Sequence, residues 1–115
     1  MIAVADTFWN DQYPYIDYST GGSIDGMIRT AEANVENTND ETIVIPGHGP
    51  IGNKSQLIEF RDMLVAIREK VAKLKKQGKS LDEAVAAKPT ADFDAKWGGF
   101  VVDGNFFTRL VYAGV

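Results

Sequence analysis

The only histidine of this 115-residue chain stands in a stretch whose composition suits a fixed chemical group. His48 lies within residues 46–50, which read Pro-Gly-His-Gly-Pro, directly after the β-branched run 42–45. The glycines allow unusual backbone angles and leave the imidazole uncrowded, and the prolines hold the loop still. These conditions suit a metal ligand or a general base, and they equally suit a histidine that caps a turn. Spacing alone supports the two interpretations equally.

A second candidate is a carboxylate in an apolar stretch at the start of the sequence. Residues 1–9 read Met-Ile-Ala-Val-Ala-Asp-Thr-Phe-Trp, which is rich in β-formers and predicts a strand. On such a strand Asp6 shares a face with the apolar side chains of Ile2, Val4 and Phe8. An acid in that row costs free energy unless it is paired or lies at the end of the strand, so Asp6 is a candidate functional residue.

The elements that would hold these two residues are predicted from periodicity and capping patterns. Residues 13–16 contain a proline and predict a short second strand or an edge segment. Ser23 is placed to cap a helix that ends near Glu36, and 42–45 is typical of a buried strand. We expect a single domain over residues 1–115, in which 46–50 is a rigid loop at the end of that strand.

The second half of the chain is predicted to be mainly helical. Asn53 and Gln56 form a capping-box pattern that begins a long helix, which Gly78 ends. A second capping box at 80–83 opens a short helix that Pro89 ends, and a small helix and a final helix follow. The long helix repeats apolar residues at steps of three and four, which gives it one buried face: Leu57, Phe60, Leu64, Ile67, Val71 and Leu74.

Composition and charge exclude several classes of protein. The absence of cysteine excludes a disulfide framework and every thiolate metal site. No apolar run approaches the roughly 20 residues that cross a bilayer, and no secretory signal pattern is present, so we expect no membrane partner. Within a net charge of −4, residues 1–50 are acidic and 51–79 are basic. A basic helix at 54–79 could bind nucleic acid, but it has few aromatic residues for base stacking, so we expect a solvated helix face and no nucleic-acid partner.

Taken together, the stretches around the two candidate residues resemble a known family. Residues 43–50 look like the strand and loop that deliver the last histidine ligand in the metallo-β-lactamase superfamily. Residues 5–8 are similar to the family's strand that ends in Gly-Asp. The similarity runs over nearly the whole chain, because three more stretches resemble one hydrolase-like branch: 13–17 with 21–28, 88–94, and Trp97-Gly98 after it.

The resemblance implies an α/β fold, namely half of an αββα sandwich, with a short β-sheet covered by helices on one face. It also implies a metal-dependent hydrolase that uses zinc, or iron or manganese, to generate hydroxide for attack on a carbonyl or phosphoryl centre. Carried over by position, Asp6 would be the carboxylate that bridges two metals. His48 would be a ligand of the second metal, and no further catalytic residue is assigned.

The chain also departs from the family pattern. It contains neither the His-x-His-x-Asp-His motif nor a further histidine, and Ala5 replaces the usual glycine. Two ligands fall short of the three protein ligands and open position of a catalytic zinc site. We therefore expect the C-terminal half of such a hydrolase, inactive alone. The alternative is a non-catalytic oligomeric binding or assembly module derived from that fold. In both cases an open apolar sheet face predicts a homodimer or higher homo-oligomer.

Three other patterns have simpler explanations. Ser19, Thr20 or Ser23 could form a hydrolytic triad with His48, but no nucleophile-elbow pattern surrounds them. The loop 20–23 could hold an anion, but it lacks the lysine of a phosphate loop, so a turn and helix cap explain it better. The glycosylation pattern at 53–55 is better explained as a helix start.

Overall fold

The computed structural model describes residues 2–10, 12–16, 22–39, 41–49, 51–99 and 102–115, with the backbone alone at 2–8 and 47–48. Seven elements follow one another along these residues: strand β1 (Ile2–Trp9), helix α1 (Ile24–Glu36), strand β2 (Val44–His48), and helices α2 (Lys54–Lys76), α3 (Leu81–Ala86), α4 (Asp94–Trp97) and α5 (Gly104–Ala113). Within these ranges no helix is long and apolar enough to span a bilayer.

This architecture shows that the predicted fold class is wrong. The described part of the chain is mostly helical, and its strands form a single parallel pair, β1 with β2. Two strands are too few to form a stable layer of their own, so there is no half-sandwich with a helix-covered sheet.

Part of the reason lies in residues 13–16, which are predicted as a short second strand or an edge segment and have no strand structure. The N–H of Tyr13 donates to the carbonyl oxygen of Trp97 in α4 at 3.0 Å instead of joining a ladder. Pro14 has no N–H to offer a neighbouring strand. Tyr13 and Ile16 are buried in the same apolar core as the helices, so the segment packs on the helices as irregular chain.

Helix α2 is the centre of the core, and it packs against α1, α3, α5 and β1. Its predicted apolar face is confirmed at five of six positions, Leu74 being only partly buried, and Met63 brings the buried side chains of the helix to six: Leu57, Phe60, Met63, Leu64, Ile67 and Val71. Each such side chain contributes about 1.5–3 kcal/mol when fully buried. The opposing surface comes from Ile24 and Ala31 of α1 and from Phe107 and Val111 of α5. Helix packing, and not a sheet, therefore supplies most of the core.

The predicted helix beginnings are confirmed. The Ser23 hydroxyl accepts a hydrogen bond from the N–H of Gly26 and begins α1. Both predicted capping boxes form, one between Asn53 and Gln56 and the other between Ser80 and Glu83. Hydrogen bonds with Ser80 hold the pKa of Glu83 below its usual value. These caps satisfy N–H groups that would otherwise lack partners in the first helical turns.

Strand β2 differs from its prediction by a shift along the chain. It begins at Val44 and runs through Pro46 to His48, so the expected loop at 46–50 is wrong for its first three residues. His48 is the last residue of the strand, and the turn follows it. This shift places the histidine on the strand ladder itself.

Candidate functional site

The parallel pairing of β1 with β2 brings the backbones of the two predicted metal ligands to neighbouring strands. The register pairs Ala5 with Pro46 and Trp9 with His48. Asp6 follows Ala5, so both candidates lie in the half of the pair that approaches the carboxyl ends of the strands. The side chains of Asp6 and His48 lie outside the described atoms.

The ladder is irregular at the level of Asp6. Between the pair Ala5–Pro46 and the pair Trp9–His48, residues 6–8 of β1 lie opposite Gly47 alone. Extra residues of this kind interrupt pairing and redirect the strand, and they are over-represented next to functional sites. No signal in the sequence marks this irregularity, because a run of β-forming residues looks the same in a regular and in a bulged strand.

Gly49 sets how closely the two strand ends approach. Its φ is +87°, a left-handed conformation that favours glycine. A Cβ at this position would overlap the backbone carbonyl of Asn10, the residue after β1. The expectation that a glycine beside His48 serves the backbone is therefore confirmed at Gly49.

The segment that follows His48 turns back and pairs with the first residue of β2. The N–H of Val44 donates to the carbonyl of Gly52 at 2.9 Å, and the N–H of Gly52 donates back to the carbonyl of Val44 at 2.8 Å. Helix α2 begins two residues later, behind its Asn53 cap. The beginning of β2 is thus held between the beginning of β1 and the segment that leads into α2.

The donor set of the described residues, with Asp6 and His48 added, does not fit a complete catalytic metal site. Among the described side chains, no three His, Cys, Asp or Glu residues lie close enough together to hold a metal ion. Asp6 and His48 add one carboxylate and one imidazole, and the sequence contains neither a second histidine nor a cysteine. Catalytic zinc uses three protein ligands and an open position, so these two residues alone do not support a hydrolytic step.

A buried cluster around Tyr13 is the second feature of the molecule with polar chemistry, and sequence reasoning missed it. The Tyr13 hydroxyl lies 2.8 Å from Oδ1 of Asp94 and 3.2 Å from the carbonyl oxygen of Thr90. Its ring stacks on Phe107 with 4.8 Å between centroids. Burial raises the pKa of Tyr13, and the Asp94 carboxylate raises it further, so the phenol remains a proton donor. A Cβ on Gly104 would overlap both Asp94 and Thr90.

The contacts of this cluster make it a structural tie. It joins the irregular segment 13–16 to α4 and to the first turn of α5. The phenol keeps its proton and lies within hydrogen-bond distance of two acceptors, the Asp94 carboxylate and the Thr90 carbonyl. We therefore assign the Tyr13 cluster to stability and not to chemistry.

The remaining sequence patterns involve four residues: Ser19, Thr20, Ser23 and Asn53. Ser19 and Thr20 lie outside the described residues, so the structure does not bear on them. Ser23 and Asn53 both act as helix caps, which confirms the helix cap predicted at the end of the loop 20–23 and the helix start predicted at 53–55.

Comparisons with protein-family models, curated proteins and solved structures give no match to this chain. The resemblance to the metallo-β-lactamase superfamily therefore stays a prediction from the stretches 5–8 and 43–50 and their neighbours.

Proposed function

We propose that this chain is the C-terminal portion of a metallo-β-lactamase-like, metal-dependent hydrolase and is inactive by itself. The supporting observation is the parallel pairing of β1 with β2. The resemblance assigns a metal ligand to each of two motifs that are distant in sequence, and their backbones lie on adjacent strands that run in the same direction. The proposal concerns this local arrangement and does not include the sandwich architecture, which the helical fold excludes.

In this proposal Asp6 and His48 contribute two of the ligands of a shared metal site. A zinc, iron or manganese ion held by these residues and others would supply Lewis-acid chemistry and would lower the pKa of a bound water. The remaining ligands come from residues that this chain does not contain. The chain's own part is to hold the two ligand backbones in place through the irregular ladder at Asp6 and the close approach at Gly49.

A non-catalytic oligomeric module is the second candidate, and the two-ligand donor set favours it. Both candidates include a homodimer or higher homo-oligomer formed through the strand pair. Ile43 and Ile51 support this part of the proposal, because they flank β2 and Gly52 and keep about half or more of their surface exposed. Exposed large apolar side chains of this kind are available for contact with a second copy.

Metal uptake by the chain tests the proposed function. The chain is dialysed against zinc or manganese, and bound metal is measured by elemental analysis beside His48→Ala and Asp6→Asn. We expect weak uptake that His48→Ala abolishes and Asp6→Asn reduces. Asp62→Asn is the matched control, because Asp62 is an exposed carboxylate that pairs with its neighbour Arg61. It should bind metal like the parent chain.

Metal uptake separates the two candidates, and hydrolysis assays test the roles assigned to Asp6 and His48. We expect no turnover of esters, thioesters or phosphodiesters by the chain alone in either case. Uptake that depends on His48 supports the hydrolase portion, whereas metal below about 0.1 per chain supports the non-catalytic module. Turnover that His48→Ala leaves unchanged would reject the roles assigned to both residues. A monomer by sedimentation at tens of micromolar would reject the oligomer.

A further inference from the structure

A groove lined by lysines lies between the last turns of α2 and the chain that leaves α3. It has a volume of about 370 Å³, near the lower end of the range for small-molecule sites. One wall is the face of α2 that carries Lys70, Lys73, Leu74 and Gln77; the other is formed by Ala87, Lys88 and Pro89. We call this the basic groove. None of its lining residues belongs to β1 or β2, so it is separate from the proposed metal site.

The charge of the basic groove is unbalanced. Lys70 pairs with Asp92 at 3.0 Å, and that carboxylate is largely exposed. Lys73 and Lys88 have no side-chain partner among the described residues. The carbonyl end of α2 adds roughly half a negative charge. Counted over the groove's lysines, Asp92 and this helix end, the net charge is roughly +1.5, which attracts anions, while Lys88 also lines a smaller cavity with Asp94 and Asp103.

The placement of the lysines is not explained by the stability of α2 alone. Lysines in the last turn of a helix offset its dipole, which accounts for Lys73, Lys75 and Lys76. Lys88 comes from a different element and adopts a left-handed backbone with φ of 55°, a conformation that favours glycine. Lys88 lines the groove with Lys73 and does so at a cost in backbone strain.

We propose that the basic groove binds a small phosphate monoester whose organic part is apolar. At neutral pH such a group carries a charge of about −1.5 to −2, which matches the two lysines without partners on opposite walls. Lysine binds phosphate as a point charge from any direction and does not need the planar geometry of an arginine fork. The apolar part of the ligand lies against Leu74, Ala87 and Pro89.

Titration with phenyl phosphate, followed by NMR of the ¹⁵N-labelled chain, tests this proposal. At about 20 mM salt, where screening is weak, we expect saturable shifts of the amides of residues 70–77 and of 87 and 88. Lys73→Gln and Lys88→Gln should each weaken binding about fivefold. Lys76→Gln is the matched control, because it removes the same charge from the same helical turn outside the groove. It should change the affinity less than about twofold.

Inorganic phosphate distinguishes an organic monoester from phosphate alone. We expect it to bind several-fold more weakly than phenyl phosphate, because it lacks the apolar part. Equal affinity for the two would reject the assigned ligand class. The proposal would also fail if the shifts did not saturate, or if Lys76→Gln weakened binding as much as Lys88→Gln. Circular dichroism of the three variants verifies that each is folded, and these exposed substitutions should not alter it.

Discussion

The strand pair and the helices around α2 are held by different kinds of contact. On the helical side, α2 alone buries six large apolar side chains, and hydrogen-bonded caps define the beginnings of α1, α2, α3 and α5. On the strand side, one parallel ladder loses its register twice, and Ile43 and Ile51 remain exposed. Two strands are marginal without support. The helices can therefore specify their own packing, whereas the strand pair depends on them and, in our proposal, on a second copy.

The largest effect should come from the centre of the helical region. Leu64 is fully buried in α2, so Leu64→Ala removes buried apolar surface and leaves a cavity. We expect a loss of about 2–5 kcal/mol in the free energy of unfolding, measured by urea denaturation. Ile51→Ala is the control, because the Ile51 side chain is 66% exposed, and it should lose less than about 0.5 kcal/mol. Similar losses in both variants would remove the distinction between the two regions.

Gly49→Ala tests how the strand pair depends on one close approach. The new Cβ would overlap the Asn10 carbonyl and would also occupy a left-handed backbone, and we expect a loss of about 3 kcal/mol. Gly78→Ala separates these two causes. Gly78 has a similar φ of +84°, but a Cβ there would meet no atom within 4 Å, so strain alone should cost about 1 kcal/mol. Equal losses in the two variants would show that the contact with Asn10 has no energetic role.

The Tyr13 cluster should give a smaller effect with a distinct dependence on pH. Tyr13→Phe removes hydrogen bonds to Asp94 and Thr90, and we expect a loss of about 1–2 kcal/mol at pH 7. The folded-state pKa of Tyr13 is raised, so its contribution is fully present below about pH 10, the unfolded value. Above that pH the unfolded phenol ionises first, and the contribution falls by up to about 1.4 kcal/mol per pH unit.

Free energies of unfolding measured from pH 8 to 11 test whether the contribution of Tyr13 falls at high pH. The difference in unfolding free energy between the parent and Tyr13→Phe should shrink as the pH rises above about 10. Asp94→Asn is the second variant, because it removes the carboxylate that raises the pKa of Tyr13 while leaving the side chain's size unchanged. A constant difference over the whole range would contradict the assignment of Tyr13 as a buried, protonated donor.

The parts of the fold that could be predicted from sequence are those with local causes. Ser23, Asn53 and Ser80 begin helices through hydrogen bonds to residues three positions along, so the pattern and the structure lie within one turn. The apolar face of α2 is likewise visible in the spacing of its residues. These features need no knowledge of the rest of the molecule.

The remaining features depend on contacts between distant parts of the chain. Tyr13 meets Asp94, which lies 81 positions away, and this contact draws residues 13–16 onto the helices instead of into a sheet. The same apolar run is compatible with either outcome, and the predicted sheet was wrong for that reason. For the candidate site, the resemblance singled out Asp6 and His48. Their adjacent strands follow from tertiary pairing, and the irregular ladder at Asp6 has no sequence signal.

The smallest expected effect concerns Lys88, where stability and the proposed ligand site are opposed. Lys88→Gly should relieve the left-handed strain and raise the free energy of unfolding by about 0.5–1 kcal/mol, measured by urea denaturation. The same change should weaken the binding of phenyl phosphate, because it removes the positive charge of Lys88 from the basic groove. Lys88→Gln is the matched variant, since it loses the charge and keeps the strain, and it should weaken binding without added stability. If Lys88→Gly gained stability and bound phenyl phosphate as tightly as the parent chain, the strained lysine would have no part in the basic groove.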